Sequence, residues 1–167
     1  MLMSVQDEIV RWLRDAYAME RGMEVTLKKV AESDRHALEC RNLAAAHLEE
    51  TRQHAQTIER LLKSLGSDTS TIKMGAAMMT ETIKGLGTAM SQDEEIKDLL
   101  ASYAMEHFEI ACYRALVAAA ELAGFAEIAD ACEQIISDEE NMAEGFTDAL
   151  PRAVQDHLRL VGLPKAA

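Results

Sequence analysis

Hydrophobic residues recur along this chain in steps of three and four, the spacing of one face of an α-helix. Four long segments carry the pattern, over about residues 4–32, 34–65, 92–123 and 125–150. The first stripe comprises Ile9, Leu13, Ala16, Glu20, Met23, Leu27 and Val30. Short turns join the first two segments and the last two, so each pair is predicted to form an antiparallel hairpin. The pattern therefore predicts an all-α fold.

The connection between the second and third segments is far longer than the other two and covers residues 66–91. Its methionines and glycines over residues 72–90 are typical of a short amphipathic helix or two. Two helical hairpins joined by one long crossover form the layout of ferritin-like four-helix bundles. Because 167 residues are enough for one core, we predict a single ferritin-like domain over residues 1–167.

Several helix ends carry signals in the sequence. Ser4 and Asp7 have the spacing of a capping box, which predicts the start of the first helix. Gly124 is expected to end the third helix, and Pro151 is expected to end the fourth. A short tail helix is predicted before Pro164.

One glutamate interrupts the middle of the apolar stripe in each predicted helix: Glu20, Glu50, Glu109 and Glu139. The two members of each hairpin are equally spaced, since 50 − 20 and 139 − 109 both equal 30. A carboxylate in a helical core is very costly unless a positive group meets it there. We therefore predict that the four surround bound metal ions. The alternative for any one of them is pairing with arginine or reaching the surface.

Carboxylate oxygens with one or two imidazoles suit iron or manganese. In dinuclear carboxylate bundles, the second helix of each hairpin usually carries Glu-x-x-His. Here the positions three residues after Glu50 and Glu139 are Gln53 and Met142. The absence of histidine there predicts a more open site that binds metal loosely.

Two histidines and a further glutamate are additional candidates. His54 follows Glu50 by four residues and is predicted to reach the same face as a metal ligand, whereas His47, one turn before, is the weaker candidate. Either histidine could instead be a hydrogen-bonded structural residue. Glu106 lies one turn before Glu109 and is either a further metal ligand or a solvent-facing edge residue.

The formal net charge of −12 argues against nucleic acid and anionic membrane surfaces as partners. No segment approaches the roughly 20 apolar residues that a membrane-spanning helix needs. No secretory signal is visible at the start. Three cysteines without tight spacing indicate reduced thiols, so a cytoplasmic location is expected.

Three segments resemble the bacterial YciE and YciF stress-response family: WLRDAYAMERGME, HLEETRQHAQTIERLL and YAMEHFEIACYRALVAAA. The resemblance covers nearly the whole chain and is closer to YciE. It implies a ferritin-like homodimer with a dinuclear metal site and no established activity. By the wider ferritin-like pattern, Glu20 and Glu109 take terminal-ligand positions and Glu50 and Glu139 take bridging positions. Glu106 resembles the extra third-helix carboxylate of rubrerythrin-like sites.

The leading hypothesis is a stress-response protein that holds two iron ions, with manganese as the alternative, and catalyses iron(II) oxidation or peroxide reduction. The second hypothesis is a non-catalytic structural or partner-binding protein whose carboxylates are vestigial. The sequence leaves open whether the protein is an enzyme.

Overall fold

The computed structural model describes residues 4–34, 36–69 and 93–162. Within them the chain forms four α-helices: α1 (Val5–Ala31), α2 (Leu38–Ser64), α3 (Glu94–Ala123) and α4 (Ala126–Leu160). α1 packs along α2, α3 packs along α4, and the two hairpins meet through α1–α3 and α2–α4 contacts. This is the predicted four-helix bundle. The helix predicted within residues 72–90 lies outside the described residues.

Most of the helix ends are determined by capping residues that are close in the sequence. The predicted capping box is present, because the Asp7 amide donates to Ser4 Oγ at 3.1 Å and the Ser4 amide donates to Asp7 Oδ2 at 3.0 Å. Gly124 ends α3 with a left-handed φ of 76°, which glycine adopts without strain. α2 begins later than predicted, because Ala37 is extended and its amide donates to Glu95 Oε1 of α3 at 3.0 Å.

The prediction that Pro151 ends the last helix is wrong, since α4 continues through it to Leu160. A proline removes one backbone hydrogen bond, and at this exposed position water can reach the freed carbonyl. Contacts beyond the proline favour the longer helix. Ala153 is buried in the core, and Arg152 Nη1 lies 2.5 Å from Glu39 Oε2 of α2.

The core has a main part along the bundle and a small cluster at one end, formed by Cys40, Leu99, Met142, Phe146 and Ala153. At that end His36 Nε2 lies 2.8 Å from Asp98 Oδ2, so α2 and α3 both begin there and run in the same direction. The end of α2 and the start of α3 therefore lie at opposite ends of the bundle, separated by about the 40 Å that the 27 residues of α2 span. None of the described helices combines the length and the apolar content needed to cross a bilayer.

Candidate metal centre

Six ionisable side chains lie together in the middle of the apolar core, and each is at most 4% exposed. α1 provides one, α2 two, α3 two and α4 one: Glu20, His47, His54, Glu106, Glu109 and Glu139. The helix periodicity explains the pairs, because residues three, four or seven positions apart share one helix face. Such a concentration of buried charge is costly unless the groups neutralise one another or bind a cation.

The six side chains form two adjoining groups that share one carboxylate. Ligand atoms of His47, Glu106, Glu109 and Glu139 all lie within 4.8 Å of one another. The same holds for Glu20, His54 and Glu139. Glu139 therefore lies between two sets of oxygen and nitrogen donors, which is the arrangement expected for a bridging ligand.

His47 has one ring nitrogen inside the centre and the other at its edge. Its Nε2 lies 3.2 Å from Glu106 Oε2 and 3.4 Å from Glu139 Oε2. Its Nδ1 lies 3.4 Å from Oε2 of Glu50. The ring therefore connects the buried carboxylates to a carboxylate at the bundle surface.

His54 is placed in the same way but with the opposite ring nitrogen facing inward. Its Nδ1 lies 3.1 Å from Glu139 Oε1 and 3.7 Å from Glu20 Oε1. Its Nε2 lies 3.2 Å from Asp138 Oδ2, again a carboxylate at the edge. Glu20 is held in addition by Tyr113, whose hydroxyl donates to Glu20 Oε1.

Burial changes the protonation of the carboxyl groups. It raises the pKa of Glu20 and of Glu106 to about 8, and it raises the pKa of Glu109 well above its ordinary value. The charge of Glu139 adds to these shifts. Burial also disfavours the ionised form of Glu139. The proton donors His54 and Glu106 and the positive charge of His47 favour the ionised form, and their combined effect is larger than that of burial. The pKa of Glu139 is therefore lowered.

The pKa values of the two histidines are raised, which favours the charged form of each ring. Burial alone would lower both pKa values, but Glu106 and Glu139 raise the pKa of His47 to about 9. Glu139 and Glu20 raise the pKa of His54 to about 9. In the metal-free protein these shifts favour the imidazolium forms of His47 and His54 and the protonated forms of the raised acids, with Glu139 as the ionised carboxylate.

The hydrogen bonds of the centre remain incomplete in this form. Among the described residues, ten buried side-chain nitrogen or oxygen atoms have no hydrogen-bond partner, and eight of them belong to the six clustered side chains. Both inward histidine nitrogens, His47 Nε2 and His54 Nδ1, are among the eight. Buried polar atoms normally find partners, and a cation would provide one for these. Four carboxylates and two imidazoles form a donor set that suits iron or manganese.

The structure brings together five of the six predicted metal ligands. Glu20, His54, Glu106, Glu109 and Glu139 lie in the centre, and the alternative of a solvent-facing Glu106 is wrong, since its side chain is 0% exposed.

The expectation that Glu50 lies mid-stripe is also wrong: its side chain is 44% exposed and outside both groups. Thr51 occupies the buried side of α2, and one residue along a helix turns the side chain by about 100°.

His47 was predicted to be a weaker candidate ligand than His54, but it is fully buried within the centre. It lies seven residues before His54, two helical turns away on the same face, and that spacing was the available signal. The centre therefore contains two histidines, both from α2. The prediction of an open, histidine-poor site is corrected: each of the two groups has one imidazole, and both rings are buried.

Comparisons with known proteins agree with this architecture. Protein YciF of Escherichia coli strain K12 is 25% identical over 150 residues, which cover 87% of this chain and 89% of that protein. A solved structure from Xanthomonas campestris pv. campestris is 35% identical, has a TM-score of 0.80, and covers 95% of this chain and 99% of its own. The crystal structure of the E. coli stress protein YciF has a TM-score of 0.79 at 22% identity, covering 92% and 99% of the two chains.

A dodecameric thioferritin, a bacterioferritin-related protein from Bacteroides fragilis, has a TM-score of 0.67 at 16% identity over 97% of this chain and 94% of its own. The fold is thus ferritin-like. The sequence profile described as "Domain of unknown function (DUF892)" matches residues 4–159. The chain belongs to the DUF892 family.

Proposed function

We propose that this chain is a ferritin-like stress-response protein that binds two iron ions, or two manganese ions, between its four helices. The shared position of Glu139 supports two adjoining ions rather than one. His47, Glu106 and Glu109 would hold one ion, Glu20 and His54 would hold the other, and Glu139 would contact both. The stress-response part of the proposal draws on the description of E. coli YciF as a stress protein.

Bound iron would supply redox chemistry, and we propose iron(II) oxidation or peroxide reduction as the reaction. The protein's own contribution is to hold the donors and to exclude water. Tyr113 is fully buried, and its hydrogen bond fixes one oxygen of Glu20. The other oxygen, Glu20 Oε2, has no hydrogen-bond partner and is available to a cation.

Metal content tests the proposal directly. After anaerobic loading with iron(II) or manganese(II) and desalting, we expect close to two ions per chain by mass spectrometry. Oxygen and peroxide consumption by the iron-loaded protein then tests the reaction. Loading that leaves no retained metal would contradict the proposal. It would favour a non-catalytic structural or partner-binding protein, whose buried acids and histidines neutralise one another.

We also propose a homodimer formed through the outer face of α3. This face is an apolar stripe of exposed residues, Leu100, Ala104, Phe108, Ala111, Ala115, Ala118 and Leu122. Leu100 and Leu122 each lie 11 residues from Ala111. Two antiparallel copies of α3 that cross at Ala111 would therefore place Leu100 of one copy opposite Leu122 of the other. Such a self-complementary face suits a two-fold interface.

Ala111→Glu should convert this dimer to a monomer, because it buries two like charges at the two-fold axis. Sedimentation velocity would measure the change. Ala45→Glu, which adds the same charge at an exposed position of α2, is the matched control and should remain dimeric. An Ala111→Glu protein that sediments like the wild type would exclude this face as the interface.

We further infer a cytoplasmic location and a closer relation to YciE than to YciF. The first inference is supported by the three cysteines, Cys40, Cys112 and Cys132, none of which forms a disulfide bond. The second rests on the three sequence segments that resemble YciE.

A further inference from the structure

Thr51 has a hydroxyl group without a hydrogen-bond partner, although the residue is only 1% exposed. Among the described residues, it has the one buried side-chain hydroxyl in this state. The other unpartnered atom outside the six clustered side chains, His36 Nδ1, lies at the end of the bundle. Burial of a hydroxyl without a hydrogen bond is costly. The hydroxyl of Thr51 therefore requires an explanation.

The usual partner of a helical threonine is not used by Thr51. A threonine inside a helix commonly donates to the carbonyl four residues before it. In this chain Thr26 donates to the Gly22 carbonyl at 3.4 Å, and Thr147 donates to the Ala143 carbonyl at 2.9 Å. The corresponding carbonyl for Thr51 belongs to His47, and that bond is not formed. The hydroxyl thus remains available to a partner outside its own helix.

Thr51 lies between the two halves of the centre. It follows His47 by four residues and precedes His54 by three, and all three side chains are buried on one face of α2. Residues at these separations in a helix have Cβ atoms about 5–6 Å apart. Because His47 belongs to one donor group and His54 to the other, Thr51 adjoins both groups.

The centre also contains hydrogen-bond acceptors without partners. Six carboxylate oxygens of its four glutamates have no hydrogen bond, and the Thr51 hydroxyl donates to none of them. An unpaired donor and unpaired acceptors in one buried region are therefore too far apart, or wrongly oriented, to bond directly. A small molecule between them would accept from Thr51 at one end and meet the cations held by the carboxylates at the other.

We propose that Thr51 is a substrate-binding residue, whose hydroxyl donates a hydrogen bond to hydrogen peroxide in the centre. This inference rests on the proposed function and selects peroxide reduction from its two reactions. Both oxygens of peroxide are hydrogen-bond acceptors, whereas dioxygen is a poor acceptor. The competing explanation is that Thr51 is a structural residue whose hydroxyl has a partner within the protein.

Azide binding to the iron(III)-loaded protein tests the proposal without turnover. Azide is a small anion with an acceptor atom at each end, and its complexes with iron(III) absorb visible light. Thr51→Val keeps the shape of the side chain but lacks the hydroxyl, so it should weaken azide binding on the order of 10-fold. Thr51→Ser retains the hydroxyl and should bind azide like the wild type. Thr26→Val removes a hydroxyl bonded to its own helix and is the matched control.

Thermal unfolding of the metal-free protein separates substrate binding from a structural role. Loss of a hydroxyl that has no internal partner should not destabilise the fold. Metal-free Thr51→Val should therefore unfold at the wild-type temperature or up to about 4 °C above it. A lower melting temperature would reveal an internal partner and overturn the proposal.

The metal content of each protein distinguishes the remaining outcomes. We expect the wild type and all three variants to retain the same number of iron ions per chain. Equal azide affinity in the wild type and Thr51→Val, at equal iron content, would overturn this inference and leave the proposed function intact. A wild-type protein that retains no iron would contradict the proposed function, and the inference with it.

Discussion

Glu139→Gln should abolish metal binding in both halves of the centre, because Glu139 is the one carboxylate common to both donor groups. We expect bound metal to fall from close to two ions per chain to nearly none. The affinity should drop by more than the roughly 100-fold that outer hydrogen-bonding partners of a metal site usually contribute. Calorimetric titration with manganese(II), together with metal analysis after iron(II) loading, would measure the loss.

Two further variants make the result specific. Glu144→Gln changes an exposed acid on the same helix and should bind metal like the wild type. Glu109→Gln removes a donor from the His47 group alone, so it should lower the affinity for one of the two ions much more than the affinity for the other. Circular dichroism would verify that each variant is folded. If Glu139→Gln still retained two ions, the shared-carboxylate arrangement would be incorrect.

The metal-free protein should lose stability as the pH rises from about 5 to 9. The raised pKa values of the centre mean that the folded protein holds protons that the unfolded chain releases. Stabilisation from His47 and His54 is fully present below about pH 6.5, the ordinary histidine value, and is lost as the pH rises through about 9. The raised pKa values of Glu20 and Glu106 have the same effect, since the stabilisation that these acids provide is lost as the pH rises from about 4.5 to about 8. The summed loss is on the order of several kcal/mol.

Urea unfolding at several pH values would measure this slope. The metal-loaded protein should show the opposite trend at low pH, because cations bind deprotonated ligands and acid displaces them. Glu109→Gln replaces a protonated acid by a neutral amide that does not titrate, so it should reduce the fall in stability. Glu144→Gln should preserve it. A metal-free protein that is most stable near pH 9 would show that the buried acids are not protonated.

The buried faces and most of the ends of the helices could be predicted, because they depend on residues that are close together in the sequence. The alternation of apolar residues identified the buried face of α1, on which Ile9, Leu13 and Glu20 all lie. The Ser4 capping box and Gly124 mark helix ends by hydrogen bonds and backbone geometry that need no distant contacts. The prediction that Pro151 ends the last helix was wrong because it considered only the local effect of proline. The packing of Ala153 in the core stabilises α4 beyond the proline.

The sequence by itself predicted buried carboxylates, since Glu20, Glu109 and Glu139 interrupt apolar stripes of helical periodicity and all three are buried. The equal spacing of the hairpins was misleading for the first pair, because Glu50 lies at the surface. Only the tertiary structure decided which side of α2 faces the buried carboxylates. Residues 47, 50, 51 and 54 all fall on one broad polar side of that helix, so periodicity cannot tell His47 from Glu50. The rotation of a helix about its axis is set by packing against its neighbours, here α1 and α4. That rotation buries His47 beside Glu106 and leaves Glu50 at the surface.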